Sequence, residues 1–235
     1  MRPSWEEWNQ ALHGLGDQVL KEAVAFVELR QPTVEVSTLL AEGEPAWVLR
    51  EEGRSASLVV VGSRHLSRRR EMFTSASVAL PLSAHATCPV AVVPEPEHIT
   101  RQPAHFVVGV DGSAHSVAAV DLAFEEAALR GAQLRALYVW HPPLLGALDE
   151  DAAVRECRRV LSETVAGRAG RYPDVELRPD VVRGHPVQVL SDASADAVGL
   201  VVGTRGHGGF TGMLLGSVSQ GVLHHARCPV ITVPA

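Results

Sequence analysis

The chain repeats itself, and the repeat limits its fold more than any other feature. SLVVVGSR at 57–64 matches GLVVGTRG at 199–206 and sets Gly62 opposite Gly203. Gly43-Glu44-Pro45 stands opposite Gly184-His185-Pro186 at the same spacing. HATCPVAVVP at 85–94 matches HARCPVITVP at 225–234, one residue closer. A period of about 140 residues with a single slip in a loop reads as two copies of one module. The copies occupy 1–97 and 105–235, and HITRQPA at 98–104 reads as a linker, given its proline and polar residues. Whatever fold one copy adopts, the other is built to resemble.

The second copy alternates strand and helix. FVVGV (106–110) is a continuous apolar run, as expected of a strand buried on both faces. Residues 115–130 fit a helix that stops at Gly131. LRALYVW (134–140), a charged helix over 150–169, VELRPDVV (175–182) and a short helix near 186–195 follow. GLVVG (199–203), a helix over 216–226 and PVITV (229–233) complete it. Strands alternating with helices predict a parallel sheet covered on both faces. Ligands of such sheets sit beyond the carboxyl ends of the strands.

The first copy is incomplete. Trp5, Trp8, Leu12, Leu15, Val19, Ala23, Phe26 and Val27 mark one stripe of a helix over about 4–30. That helix corresponds to the one at 150–169, so nothing in copy one corresponds to residues 105–144. A strand, a helix and a second strand are missing. Three situations fit: the native start lies upstream, a second chain supplies the strands, or the opening segment is displaced.

GTRGHGGFTGMLLGS at 203–217 joins a strand to a helix N-terminus. Glycines let a backbone approach an oxyanion closely, and helix N–H groups with their dipole favour negative charge. Ser217 can cap the helix or donate to a phosphate. A P-loop needs a lysine, and the one lysine of the chain is Lys21. The dinucleotide fingerprint also fails, because Thr211 stands where its third glycine belongs. Gly203-x2-Gly206-x9-Gly216-Ser217 remains.

That pattern, after a VVG strand and before a CPV-ITV ending, resembles the ATP-binding signature of the universal stress protein family. GVDGS at 109–113 matches the family's first strand and turn, and the resemblance covers essentially the whole chain as a tandem pair. It implies an α/β fold of two adenine-nucleotide-hydrolase-like, Rossmann-like modules, each a parallel five-stranded sheet in the order 3-2-1-4-5. The first would lack its opening strand-helix-strand. It further implies adenine nucleotide, ATP with or without Mg²⁺, held without efficient hydrolysis. By position, Val110 and Asp111 would lie near base and ribose, with Gly112 and Ser113 in the same turn and Val139 lining the adenine. Gly203 and Gly206, with Arg205 and His207, would approach ribose and phosphates, and Gly216, Ser217 and Val218 would hold the phosphates. Modules of the family pair through their last strands, here 90–94 and 230–234, either within one chain or as a homodimer.

Copy one departs from the signature. Gly62 and Ser77 are kept, but His65 and Ala76 replace the other glycines, and Arg64, Arg68, Arg69 and Arg70 crowd the loop. A β-carbon at those positions obstructs backbone approach, so copy one reads as a decayed site with a solvated loop, the alternative being that its arginines hold an anion or a partner's acidic face. His85-x2-Cys88 and His225-x2-Cys228 suggest a metal, but neither copy offers two further close ligands; helix-end histidines and core cysteines explain both pairs. No G-x-S-x-G elbow or H-E-x-x-H motif supports hydrolytic catalysis. Asp111 reads as a ligand-orienting carboxylate, and a turn gives Asp111, Ser113 and His115 no guaranteed geometry.

A net charge of −6 gives no field for nucleic acid, and no aromatic-studded basic stripe is present. Short apolar runs and three widely spaced cysteines point to a cytoplasmic protein without membrane span, signal peptide or disulfide framework. Three functions stay open: a nucleotide-holding regulatory protein, a slow ATPase or phosphotransfer enzyme at the same site, and a nucleotide-free assembly module.

Overall fold

The structure is a computed structural model that describes residues 4–63, 78–94, 100, 102–141, 149–207 and 214–235. The altered loop of copy one, with His65, its arginines, Ala76 and Ser77, lies outside these, as do positions 208–213 of the glycine loop. The chain forms two compact units, Met1–Glu44 and Pro45–Ala235.

In the first unit, α1 (Trp5–Arg30) starts at Ser4, whose hydroxyl accepts from the Glu7 amide while the Glu7 carboxylate accepts from the Ser4 amide. This reciprocal cap satisfies two amides that a helix start leaves without partners. Residues 31–44 contain no strand. The third strand of copy one therefore does not form among the described residues; a strand needs a neighbouring ladder to join, and none of the sheet's strands lies in this unit. The stripe of α1 is exposed at Leu15, Val19 and Phe26, and Trp8 is half exposed.

The second unit holds α2 (Pro45–Glu52), β1 (Val59–Ser63), α3 (Ala79–His85) and β2 (Val90–Pro94) from copy one. Copy two supplies β3 (His105–Val110), α4 (Ala114–Arg130), β4 (Gln133–Trp140), α5 (Glu150–Val165) and α6 (Arg168–Arg171). It continues through β5 (Leu177–Arg183), α7 (Pro186–Ala193), β6 (Gly199–Gly203), α8 (Ser217–His225) and β7 (Val230–Val233). The charged helix expected over 150–169 is broken: α5 stops at Val165, and Gly167 at φ +78° restarts the chain as α6. A left-handed residue cannot continue an α-helix.

All strands form one seven-stranded sheet in the order β1-β2-β7-β6-β3-β4-β5. Counted within copy two, its five strands stand in the order 3-2-1-4-5, and all their pairings are parallel. Copy one adds its fourth and fifth strands. The two copies join where β2 meets β7 antiparallel, with Ala91 opposite Ile231. The expected pairing of last strands thus occurs inside the chain and merges two sheets into one.

Each face of the sheet has its own core. Val108, Val110, Leu134, Ala136 and Val201 pack against Val120, Phe124 and Leu161 of α4 and α5. Val107, Leu137, Leu200, Val202 and Val230 pack against Leu82, Leu190, Val222 and Leu223 of α3, α7 and α8. Burying a Val or Leu side chain completely contributes about 1.5–3 kcal/mol, so strands apolar on both faces settle in the middle of the sheet. Leu200 and Val201, consecutive on β6, are both fully buried.

Candidate functional site

Because the strands of copy two are parallel, their carboxyl ends share one border of the sheet. There β3 runs into Asp111 and α4, while β6 runs into Thr204 and the glycine loop. Strand order makes β3 and β6 neighbours. Two loops distant in sequence therefore meet at the point where the chain direction switches, between β3 and β6.

The turn after β3 is held by its own side chains. The Ser113 amide donates to Asp111 Oδ1 at 2.9 Å, and Gly112 takes φ +84°. A β-carbon on Gly112 would sit 2.6 Å from a Val160 methyl, so neither conformation nor space admits a larger residue. Ser113 caps α4, its hydroxyl accepting from the Ser116 amide at 3.2 Å, and the Ser116 hydroxyl in turn accepts from the Gly112 amide at 3.1 Å.

Asp111 reaches the other loop. Its Oδ2 accepts from the His207 amide at 3.2 Å. Gly206 permits this, because a β-carbon there would lie 2.2 Å from Asp111 Oδ2. Burial pushes the Asp111 carboxyl up. Hydrogen bonds from the Ser113 hydroxyl and amide, the Ser116 hydroxyl and the His207 amide more than offset that and leave it below the ordinary carboxylate value. The group is an anion at neutral pH.

Gly203 does similar work one strand away. A β-carbon on it would lie 2.7 Å from the carbonyl carbon and Cβ of His115, in the first turn of α4. The glycine lets α4 sit directly on the end of β6. His115 Nδ1 pairs with Thr204 Oγ1 at 3.2 Å, and burial together with the Arg205 cation lowers the imidazole pKa against the pull of Asp111. The sequence put His115 near Asp111 without a geometry; the fold seats it against Thr204.

The neck of the glycine loop is closed. The Gly216 amide donates to Thr204 O at 2.8 Å, Arg205 Nε donates to Leu214 O at 3.4 Å, and the Ser219 hydroxyl donates to Gly203 O at 2.6 Å. Gly216 is the N-cap of α8, and Ser217 is exposed at its first position, taking no part in the cap. The Ser217 hydroxyl and the first amides of α8 form a donor end with the Arg205 cation at the loop's neck. A helix start of this kind favours an anion.

The two valines divide. Val110 is buried in the α4-side core, which leaves only its backbone at the strand end, whereas Val139 is partly buried on the opposite face with Val218. The fold thus gathers Asp111, Gly112, Ser113, Gly203, Arg205, Gly206, His207, Gly216 and Ser217 at one border. Sequence reasoning missed Thr204, Ser116 and Ser219. A signal existed for Ser116, three residues after a capping serine; none existed for the other two.

His85 and His225 end α3 and α8, and Cys88 and Cys228 are buried at the entrances of β2 and β7. Among the described residues no group of three or more His, Cys, Asp or Glu is placed to hold a metal. No described helix is long and apolar enough to cross a membrane.

Comparison with known proteins agrees with this architecture. A universal stress protein of Mycobacterium tuberculosis is 37% identical over 237 residues, which span 97% of this chain and 80% of the relative. One from Mycolicibacterium smegmatis is 37% identical over 206 residues, 84% of this chain and 68% of its own length. The crystal structure of a universal stress protein from Archaeoglobus fulgidus superposes with a TM-score of 0.74 at 19% identity, covering 99% of this chain and 80% of that one. The sequence profile of the Universal stress protein family matches twice, at 3–94 and 104–234, so the chain belongs to the universal stress protein family as a tandem pair of its modules.

Proposed function

We propose that the chain is a regulatory protein that holds an adenine nucleotide, ATP in the first instance, in its second module, 105–235, without efficient turnover. The observation that carries this reading is the convergence at one sheet border of an ionised carboxylate, the hydrogen-bonded neck of the glycine loop and a helix start whose first serine is exposed. Ser217, the first amides of α8 and Arg205 are the donors that fit phosphate oxygens. Asp111 is a poor neighbour for bare phosphate and a good acceptor for ribose hydroxyls, or a ligand for a Mg²⁺ carried in with the nucleotide. Val139 and Val218 offer apolar surface for a base.

Turnover needs a group that positions water or a nucleophile and a cation that follows the transferred phosphoryl group. Asp111 is occupied by two amides, and His115 is engaged with Thr204. Neither is poised as a base, which favours a sensing role over a slow ATPase. One observation favours the nucleotide-free module instead: the spaces beside Gly203 and Gly206 are filled by the protein's own His115 and Asp111.

Displacement of a fluorescent ATP analogue by ATP, AMP and cyclic AMP, followed by a phosphate-release assay, separates these readings. Displaceable binding without phosphate release supports the regulatory role, and Ser217→Ala should weaken it about tenfold, the loss of one charge-assisted hydrogen bond. Steady phosphate release sinks the regulatory reading in favour of an enzyme. Absence of displaceable binding up to millimolar nucleotide leaves only the assembly module.

A further inference from the structure

Two more loops open on the border where β3 and β6 end, and the phosphate donors account for neither. β4 ends at Trp140 and runs into His141, while β5 ends at Arg183 and runs through Gly184 into His185, where α7 begins. The two strands are parallel neighbours with Trp140 opposite Arg183, and the Gly184 amide donates to Trp140 O at 2.9 Å, which ties their ends together. Two histidines 44 positions apart meet there, His141 and His185, with ring centroids 6.3 Å apart and planes at 89°. His185 holds the N-cap position of α7, yet its imidazole makes no cap bond.

This end of the border suits a base and not a phosphate. Val139 and Val182, near the ends of β4 and β5, belong to the same apolar cluster as Val218 of α8 and Leu190 of α7. The Arg183 cation is committed: it donates to the Glu150 carboxylate at 2.8 Å and lies 5.5 Å from the centre of the Trp140 ring. Pro186 opens α7 and removes one of the amides an anion could use. The donor end, with Ser217 and Arg205, is at the other side. In the sheet β6, β3, β4 and β5 stand side by side, three spacings of about 4.8 Å, or about 14 Å in all. Phosphates at the start of α8, ribose at Asp111 after β3 and base over Val139 of β4 bring the far edge of the base to the two imidazoles.

We infer that His141 and His185 are specificity-determining residues of the nucleotide site and hydrogen-bond the outer edge of a purine. This rests on the reading of the second module as a nucleotide holder. A neutral imidazole carries one N–H donor and one acceptor nitrogen, and adenine presents an amino donor beside a ring-nitrogen acceptor, so two imidazoles can serve both. A pyrimidine is one ring shorter and leaves its edge short of them. A site built to hydrogen-bond its ligand discriminates against an analogue that leaves those groups unpaired.

Displacement of a fluorescent ATP analogue from the intact chain by ATP, CTP, UTP and tripolyphosphate reads this directly. Wild type should prefer ATP to either pyrimidine nucleotide at least tenfold. His141→Ala and His185→Ala should each weaken ATP about fivefold to tenfold, the weight of one neutral hydrogen bond, and leave CTP, UTP and tripolyphosphate where they were. Unchanged competition by tripolyphosphate shows that a variant is folded with its phosphate end intact. His185→Gln keeps a donor and an acceptor and should retain most of the preference. ATP and UTP displacing the analogue equally from wild type, or both alanine variants keeping the wild-type ratio, would overturn the inference and leave the nucleotide reading standing. No displacement by any nucleotide would overturn both.

Discussion

Gly62 and Gly203 hold the same place in the two copies, yet alanine at each should give opposite results. Neither glycine has positive φ, so the backbone at both admits a side chain and the difference rests on space. A β-carbon at 62 has nothing within 4 Å among the described residues. A β-carbon at 203 lies 2.7 Å from two carbon atoms of His115 and 2.8 Å from its carbonyl oxygen, mostly backbone that cannot swing aside. Overpacking of this kind costs about 1–3 kcal/mol. The required shift also strains the Thr204–His115 and Ser219–Gly203 bonds, each contributing about 1 kcal/mol. Against this, alanine in a strand regains about 0.5–1 kcal/mol of backbone entropy. The net expectation is a loss of about 2–3 kcal/mol for Gly203→Ala, or about 5–10 °C in melting temperature for a chain of this size. Gly62→Ala should be neutral or stabilising by up to about 1 kcal/mol. Urea unfolding followed by circular dichroism, with the slope held in common, measures both. Equal losses at the two positions would refute the claim that α4 seated on β6 is what demands glycine at 203.

Two further outcomes follow from titratable groups. The carboxyl of Asp111 sits below its unfolded value, so it contributes stability above the unfolded pKa that is lost as pH falls through the folded one. Wild type should therefore lose more stability than Asp111→Asn between about pH 5 and pH 3, a window set by ordinary carboxylate values; parallel acid-unfolding curves for the two proteins would refute the assignment. Burial raises the thiol pKa of Cys88 and Cys157 and pushes that of Cys228 up to about 12. Ellman's reagent should find the three thiols slow in native protein and fast in denaturant; rapid reaction at Cys228 in the folded chain would contradict its placement.

Much of copy two was legible because its signals are local. FVVGV and GLVVG are apolar without alternation, which only a strand covered on both faces tolerates, and Gly131 ends α4 in a left-handed conformation as its position suggests. Gly167 is a comparable signal, but the charge periodicity of the run continues past it and hides the break. What escaped was non-local. Nothing in VEVSTLL says that residues 31–44 will lack a strand; that depends on partners missing from elsewhere in the repeat. The glycines of the loop looked like room for a ligand. The fold spends the spaces beside Gly203 and Gly206 on His115 and Asp111, residues about ninety positions away, and no spacing rule shows that. The hydroxyls of Thr204 and Ser219 that brace the loop belong to the same class.

The central claim is that one nucleotide binds in the second module, at the loop between β6 and α8. Calorimetric titration of the intact chain with ATP and Mg²⁺ tests it most directly, repeated with Gly206→Val, whose side chain collides with the Asp111 carboxylate. One ATP per chain, lost in the variant, is the predicted result. Two ATP per chain would contradict the reading of copy one as a decayed site, and no heat of binding up to millimolar ATP would contradict the claim itself.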